Sequence, residues 1–192
     1  MKKTLIGLCF AFACAAACAQ DAAAAPAQPQ DGGQKVTTKQ APWPVWLTFN
    51  STKNIDVTGV RFTLPYGYCE GVTGFDIGFY GRCRYFEGFQ LNILRNEAED
   101  VLAGAQVGIY NTAGRADLVG LQLGLINEAR SVRGVQVGIV NLAESVCGIQ
   151  FGLVNRAETA YGFQVGGVNV IRESDLSFMP IVNIGFDLFP CY

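Results

Sequence analysis

Apolar and polar residues alternate along the second half of this chain in a unit that returns with unusual strictness. In "GVQVGIVNLAESVC" (134–147) and "GIQFGLVNRAETAY" (148–161) the order is Gly, apolar, Gln, apolar, Gly, apolar, apolar, Asn, any residue, Ala. With the first glycine as position zero, units begin at Gly74, Gly88, Gly104, Gly120, Gly134, Gly148 and Gly162, at spacings of 14 or 16 residues. A looser unit precedes them at Gly59, and a last one near 176 keeps an asparagine in step at Asn183. Alternation at positions one to five has period two, the mark of a half-buried β-strand, and Val, Ile, Leu and Phe suit strands. A helix would need period 3.6 and tolerates glycine poorly.

The polar columns are conspicuous for their identity. Position two holds Gln90, Gln106, Gln122, Gln136, Gln150 and Gln164, with Asp76 at the front. Position seven holds Asn111, Asn127, Asn141, Asn155, Asn169 and Asn183, and position nine holds Ala113, Ala129, Ala143 and Ala157. Two all-β architectures accommodate such a unit. In a narrow β-solenoid with a 14-residue coil, identical residues stack ~4.8 Å apart, and Gln and Asn bond to their own kind above and below. In an antiparallel meander closing into a small outer-membrane β-barrel, each unit is one strand, for example 146–155, with apolar residues outward. The solenoid is preferred because antiparallel neighbours would put alternate Asn and Ala turns at opposite ends.

The ends of the chain are different in kind. "MKKTLIGLCFAFACAAACAQ" has two lysines, an apolar run too short to span a bilayer and then small residues, and reads as a bacterial export signal over residues 1–19. Ala15-Ala16-Ala17-Cys18 also reads as a weak lipobox, in which Cys18 would carry a lipid and tether the protein to a membrane. Residues 20–42, rich in Ala, Pro, Gln and Gly, have too little apolar surface to offset their ordering entropy and read as a disordered linker. One β-repeat domain over 43–192 remains.

Composition removes several function classes. Without Lys2 and Lys3 the chain has 12 Lys plus Arg against 16 Asp plus Glu, a net charge of −4, and no basic patch to meet nucleic acid. Histidine is absent, which removes the commonest general base and metal ligand. Acid and base chemistry is left with Asp76 and with Glu97, Glu99 and Asp100, the last three read as a solvated loop where the unit lengthens to 16 residues; Glu144 and Glu158 read as solvated turns. No catalytic residue, cofactor or metal site is assigned, since the acidic cluster lacks the Asp and Gly spacing of a calcium-binding roll and "GVQVG" lacks the Lys-Ser of a phosphate loop. Cys69 and Cys83 stand 14 residues apart, one period, so a solenoid would place them on neighbouring coils as a possible disulfide; Cys147 and Cys191 complete the set. Aromatic residues crowd the front, at Trp43, Trp46, Phe49, Phe75, Phe79, Tyr80, Tyr85, Phe86 and Phe89, and read as a capping plug or as an exposed patch for a glycan or partner.

Residues 120–155, preceded by "VTGVRFTLPYG" (57–67) and "VTGFDIGFYG" (72–81) and closed by "FMPIVNIGF" (178–186), resemble a family of bacterial surface-repeat proteins, exported or lipoprotein-like, whose repeats read Gly-Leu-Gln-apolar-Gly-apolar-apolar-Asn. The resemblance covers about 130 residues and departs from the pattern at Gly81, where Asn is usual, and in the cysteines. It implies an envelope location and a non-catalytic role, and brings no ligand residues with it. The expectation is an exported scaffold that meets an envelope or surface partner, with a membrane barrel serving as anchor or minor pore as the alternative.

Overall fold

The computed structural model describes residues 39–40, 44–48, 55–175 and 177–186. The export signal, Cys18, nearly all of the linker, and Cys191 lie outside the described residues. The elements are β1 (Lys39–Gln40), β2 (Val45–Thr48), β3 (Ile55–Val137), β4 (Val140–Ala157), β5 (Thr159–Ile171) and β6 (Phe178–Phe186). An 83-residue strand cannot be straight in a small domain; β3 is a continuous winding, and the molecule is a β-solenoid of about nine coils with a 14-residue repeat.

Register identifies the architecture. Asn127 lies beside Asn141, Gln136 beside Gln150, and Asn155 beside Asn169, all in parallel pairs offset by 14 residues. Parallel neighbours exclude the antiparallel barrel as the architecture of these coils. The sheet also starts earlier than the composition implies, because Lys39 and Gln40 pair in parallel with Ile55 and Asp56 and so belong to the sheet rather than to the linker.

The last strand departs from the repeat. β6 returns antiparallel to β5, so Asn183 lies opposite Gln164 and not above Asn169. Asn183 therefore does not continue the asparagine column, although its spacing keeps step. Reversal is a physical end to the solenoid: an antiparallel strand takes up the hydrogen-bonding edge of the last coil without presenting a further parallel rung.

The alternation does mark half-buried strands, but the buried face is the polar one. Gln106, Gln122, Gln136 and Gln150 are fully buried, as are Asn111, Asn127, Asn141, Asn155 and Asn169. Ala113, Ala129 and Ala157 from position nine and Val132 and Val146 from position twelve complete the interior with Phe86, Leu102 and Leu118. Apolar residues at positions three and five point outward instead: Ile93 is 56% exposed, Leu125 49% and Leu153 64%.

The two glycine columns have different causes. At position zero the chain turns a corner with positive φ, 136° at Gly120 and 148° at Gly134, and a Cβ at Gly134 would run into the carbonyl oxygen of Gly120. At position four the backbone is ordinary, but the space is taken: a Cβ at Gly138 would lie 2.6 Å from Asn127 Nδ2 and 3.1 Å from Asn141 Oδ1. Gly134→Ala is expected to cost about 3 kcal/mol in urea denaturation through strain and clash. Gly114→Ala, whose Cβ would meet nothing nearer than 3.6 Å, stays within about 0.5 kcal/mol of the parent.

Candidate functional site

Two amide ladders of opposite polarity run through the interior. In the first, each Gln Nε2 donates to the Oε1 of the preceding coil, from Gln164 through Gln150, Gln136, Gln122 and Gln106 to Gln90, at 2.7–2.9 Å. In the second, each Asn Nδ2 donates forward, from Asn96 through Asn111, Asn127, Asn141 and Asn155 to Asn169, at 2.7–2.8 Å. Asn side chains also donate to backbone carbonyls, as Asn127 does to Val137 O at 2.8 Å. Only residues identical in length and polarity can repeat this geometry at each rung, which accounts for the strictness of both columns.

The glutamine ladder ends at its amino-terminal side on a charge. Asp76 occupies the glutamine position of its coil and Arg61 that of the coil before; both side chains are fully buried. Arg61 Nε and Nη2 donate to the two Asp76 oxygens at 2.8 and 2.6 Å, and Thr63 Oγ1 donates to Oδ1 at 3.0 Å. Gln90 Nε2 and Asn92 Nδ2 each donate to Oδ2 at 2.9 Å. The carboxylate thus accepts five hydrogen bonds. Burial alone would raise its pKa, but the Arg61 charge and these donors hold it below the usual carboxylate value. Arg61 stays protonated for the reciprocal reason, the Asp76 charge overriding its burial. Asp76 is therefore a structural anion locked by its partners and has no lone pair facing solvent for acid or base work.

Arg61, Asn92 and Asn96 were missed as members of this network. Arg61 was detectable, because it stands at position two of the loose unit at Gly59. Asn92 replaces the position-four glycine and reaches over to Asp76, and a Cβ at Gly81 would meet both of them, which explains why asparagine is missing there.

Cys69 and Cys83 are both buried and both free, so the crosslink suggested by their one-period spacing is not made. The Cys69 sulfur takes a 2.6 Å hydrogen bond from Arg61 Nη1, and Cys83 Sγ donates to Glu97 O. Burial pushes the Cys69 thiol up to about 11 and the Cys83 thiol well above its ordinary value. Thiols so poor in thiolate react slowly. At pH 8 iodoacetamide is expected to modify neither residue in the native protein and both after denaturation, read by peptide mass mapping; a linked pair would stay unmodified in both states. Cys147, in contrast, is disulfide-bonded.

The acidic cluster is strand, not loop, and is neutralised. Glu97, Glu99 and Asp100 lie within β3. Arg82 pairs with Glu99 at 2.6 Å and Glu97 at 3.5 Å, Arg84 with Glu70 and Asp100, and Arg95 with Glu97. Tyr80 donates to Glu97 at 2.7 Å, and burial together with that bond pushes its pKa to about 12. Glu144 and Glu158 make exposed pairs with Arg130 and Arg172 on neighbouring coils. Among the described residues no group of three or more Cys, Asp or Glu side chains is arranged for a metal ion.

The remaining surface is divided by chemistry. Positions one, three and five of the seven units from Gly74 to Gly162 form an outer sheet face of twenty apolar side chains and Gly167, without a single polar side chain. Of the front aromatics, Phe75 and Phe79 belong to this face, Phe86 is in the core, and Trp46 stands at the inward column beside Arg61. Trp43 and Phe49 lie outside the described residues; among the described residues the aromatic front is divided between surface and interior.

Together, the wound parallel coils and the amide interior define a β-solenoid whose glutamine and asparagine columns are committed to its core and whose outer sheet face is apolar. No known protein family, curated protein or solved structure matches the chain.

Proposed function

We propose that this chain is a non-catalytic, exported cell-envelope scaffold that uses the apolar outer face to hold a partner. One observation carries the reading: the large apolar residues at position five, from Phe79 to Leu153, are exposed coil after coil while the glutamine and asparagine ladders bond to their own kind inside. Seven rungs at ~4.8 Å by five residues at ~3.3 Å give a strip of roughly 550 Å² in plan. The largest apolar patch on a monomer is of this order, about 300–600 Å², and is often functional. Export is supported by the amino-terminal signal pattern, and an envelope location by the resemblance of the repeats to bacterial surface-repeat proteins. Cys18 supplies the lipid anchor if the lipobox is used.

Fractionation of cells producing the full chain tests this. The processed protein is expected with the envelope, released by carbonate if it is a free periplasmic protein and only by detergent if Cys18 is acylated. Recovery from the cytoplasm with the signal intact refutes the proposal.

A further inference from the structure

We propose that the apolar outer face lies on a membrane, with its side chains seated in the hydrocarbon of a zwitterionic phospholipid leaflet. The proposal rests on the reading of that face as an interaction surface and adds the chemistry of what it meets. The extent of the face, its hydrogen bonding and its borders point to lipid.

The face runs the whole length of the described sheet. Val45 and Leu47 of β2 pair with Val60 and Phe62 of the coil at Gly59, and Val182 and Ile184 of β6 pair with Val165 and Phe163 of the last coil. The outward columns therefore continue through ten rungs, in which every described residue at positions one, three and five is apolar or glycine and none is buried. Ten rungs at ~4.8 Å by five residues at ~3.3 Å make a strip of roughly 800 Å² in plan.

Hydrogen bonding separates lipid from protein as the occupant. A protein interface that buries ~800 Å² on each partner carries roughly ten direct hydrogen bonds. This face has no side-chain donor or acceptor to contribute, and its main-chain groups are taken up between coils, where Val135 lies beside Ile149 and Val137 beside Phe151. Hydrocarbon requires no such bonds. It admits a backbone whose polar groups are satisfied by the chain itself, and every rung between β2 and β6 has a neighbour on both sides.

The borders suit the level of the headgroups. Past position five, position six holds Tyr66, Tyr80 and Tyr110, all half-exposed. Tyr80 and Tyr110 direct their hydroxyls to Glu97 and Glu128, and the Arg95 guanidinium lies over both rings. Tyrosine, with an apolar ring and a polar tip, favours the boundary between hydrocarbon and water. On the opposite border the residues before the corner glycines include Thr58, Thr73 and Glu87, all exposed. The acidic balance of the chain disfavours an anionic leaflet and selects a zwitterionic one. On the lipobox reading Cys18 precedes Lys39 by twenty intervening residues, and a coil of that many residues spans about 25 Å, so an acyl anchor would hold the face close to a leaflet.

Flotation with phosphatidylcholine vesicles tests this, using the processed chain isolated from cells as the Cys18→Ala variant, so that neither an acyl chain nor the export signal contributes. The protein is expected to float at low salt and in 1 M salt alike, since the contact has no ionic part. Leu123→Glu combined with Leu125→Glu, in the middle of the face, should lower the ratio of bound to free protein by roughly 30-fold or more. Arg156→Glu, at position eight and outside the face, changes the net charge by the same two units and should leave the ratio unchanged. Circular dichroism shows that each variant keeps its strands. Protein that stays at the bottom of the gradient, flotation that needs phosphatidylglycerol or disappears in 1 M salt, or flotation insensitive to the paired leucine changes overturns the proposal. Bottom-fraction protein that sediments as a dimer, and as a monomer after the leucine changes, overturns it too but leaves the face as an interaction surface. Envelope fractionation reports on location whichever result is found.

Discussion

Arg61→Met is expected to lower the stability of the full chain by about 3–5 kcal/mol in urea, the cost of leaving a buried carboxylate without its counter-charge. Asp76 would retain the neutral donors of Thr63, Gln90 and Asn92 but lose both guanidinium bonds in a site from which water is excluded. Removing both charges has a different result. In the double variant Arg61→Gln, Asp76→Gln, the amide ladder continues two coils further toward the amino terminus, and the buried Thr48 Oγ1, which has no partner, lies on the next coil. Stability of that variant should return to within about 1 kcal/mol of the parent, since apolar or neutral replacement of a buried ion pair is often close to neutral. Equal damage from the single and double changes would show that the ion pair does more than end the ladder.

The same pair has a pH signature. The folded-state pKa of Asp76 is lowered, so the stability it contributes is fully present above its unfolded pKa of ~3.9 and is lost as pH falls through the depressed folded value. Below pH 4 the parent should therefore lose stability more steeply than the double-glutamine variant, measured as urea midpoints at several pH values.

The second large effect belongs to the asparagine ladder. Asn127→Leu is expected to cost about 3–5 kcal/mol, because two neighbouring amides and a carbonyl lose their partner and each orphaned buried group costs ~1–3 kcal/mol. Asn127 accepts from Asn111 and donates to Asn141 and to Val137 O, all at 2.8 Å. The neighbouring residue gives the converse: Ile126→Thr, at an outward position 39% exposed, should change stability by no more than about 0.5 kcal/mol. Together the two variants invert the usual rule for strands, since the apolar substitution is destructive and the polar one harmless. Urea midpoints that reversed this order would mean that the apolar columns form the core.

Such a result matters for function because polar residues in a repeat protein invite a search for a site. Asp76 and the glutamines at position two are committed to one another, and Glu97 to Arg82, Arg95 and Tyr80. On the proposed reading, recognition is left to the face that the repeat keeps apolar and to the places where the repeat ends.

Much of the architecture was legible in the residues themselves. Period two, glycine and asparagine at constant phase, and side-chain identity in two columns specify a strand-built coil of 14 residues, because only stacked copies require the same amide at every rung. The phase of the loose unit at Gly59 even places Arg61 over the glutamine column. Which face turns inward was not legible: alternation in a strand reads the same whichever side is buried, and the choice depends on whether the opposed wall offers amides that complete their hydrogen bonds or a cavity for large side chains. Nor could spacing alone show that Asn183 faces Gln164, since a chain that reverses direction keeps its count of residues while changing its neighbours. The sequence by itself determined the repeat, its period and the identity of the ladders. Tertiary structure alone decided that the ladders are the core, that Arg61 and Asp76 close one of them, and that the apolar columns face out.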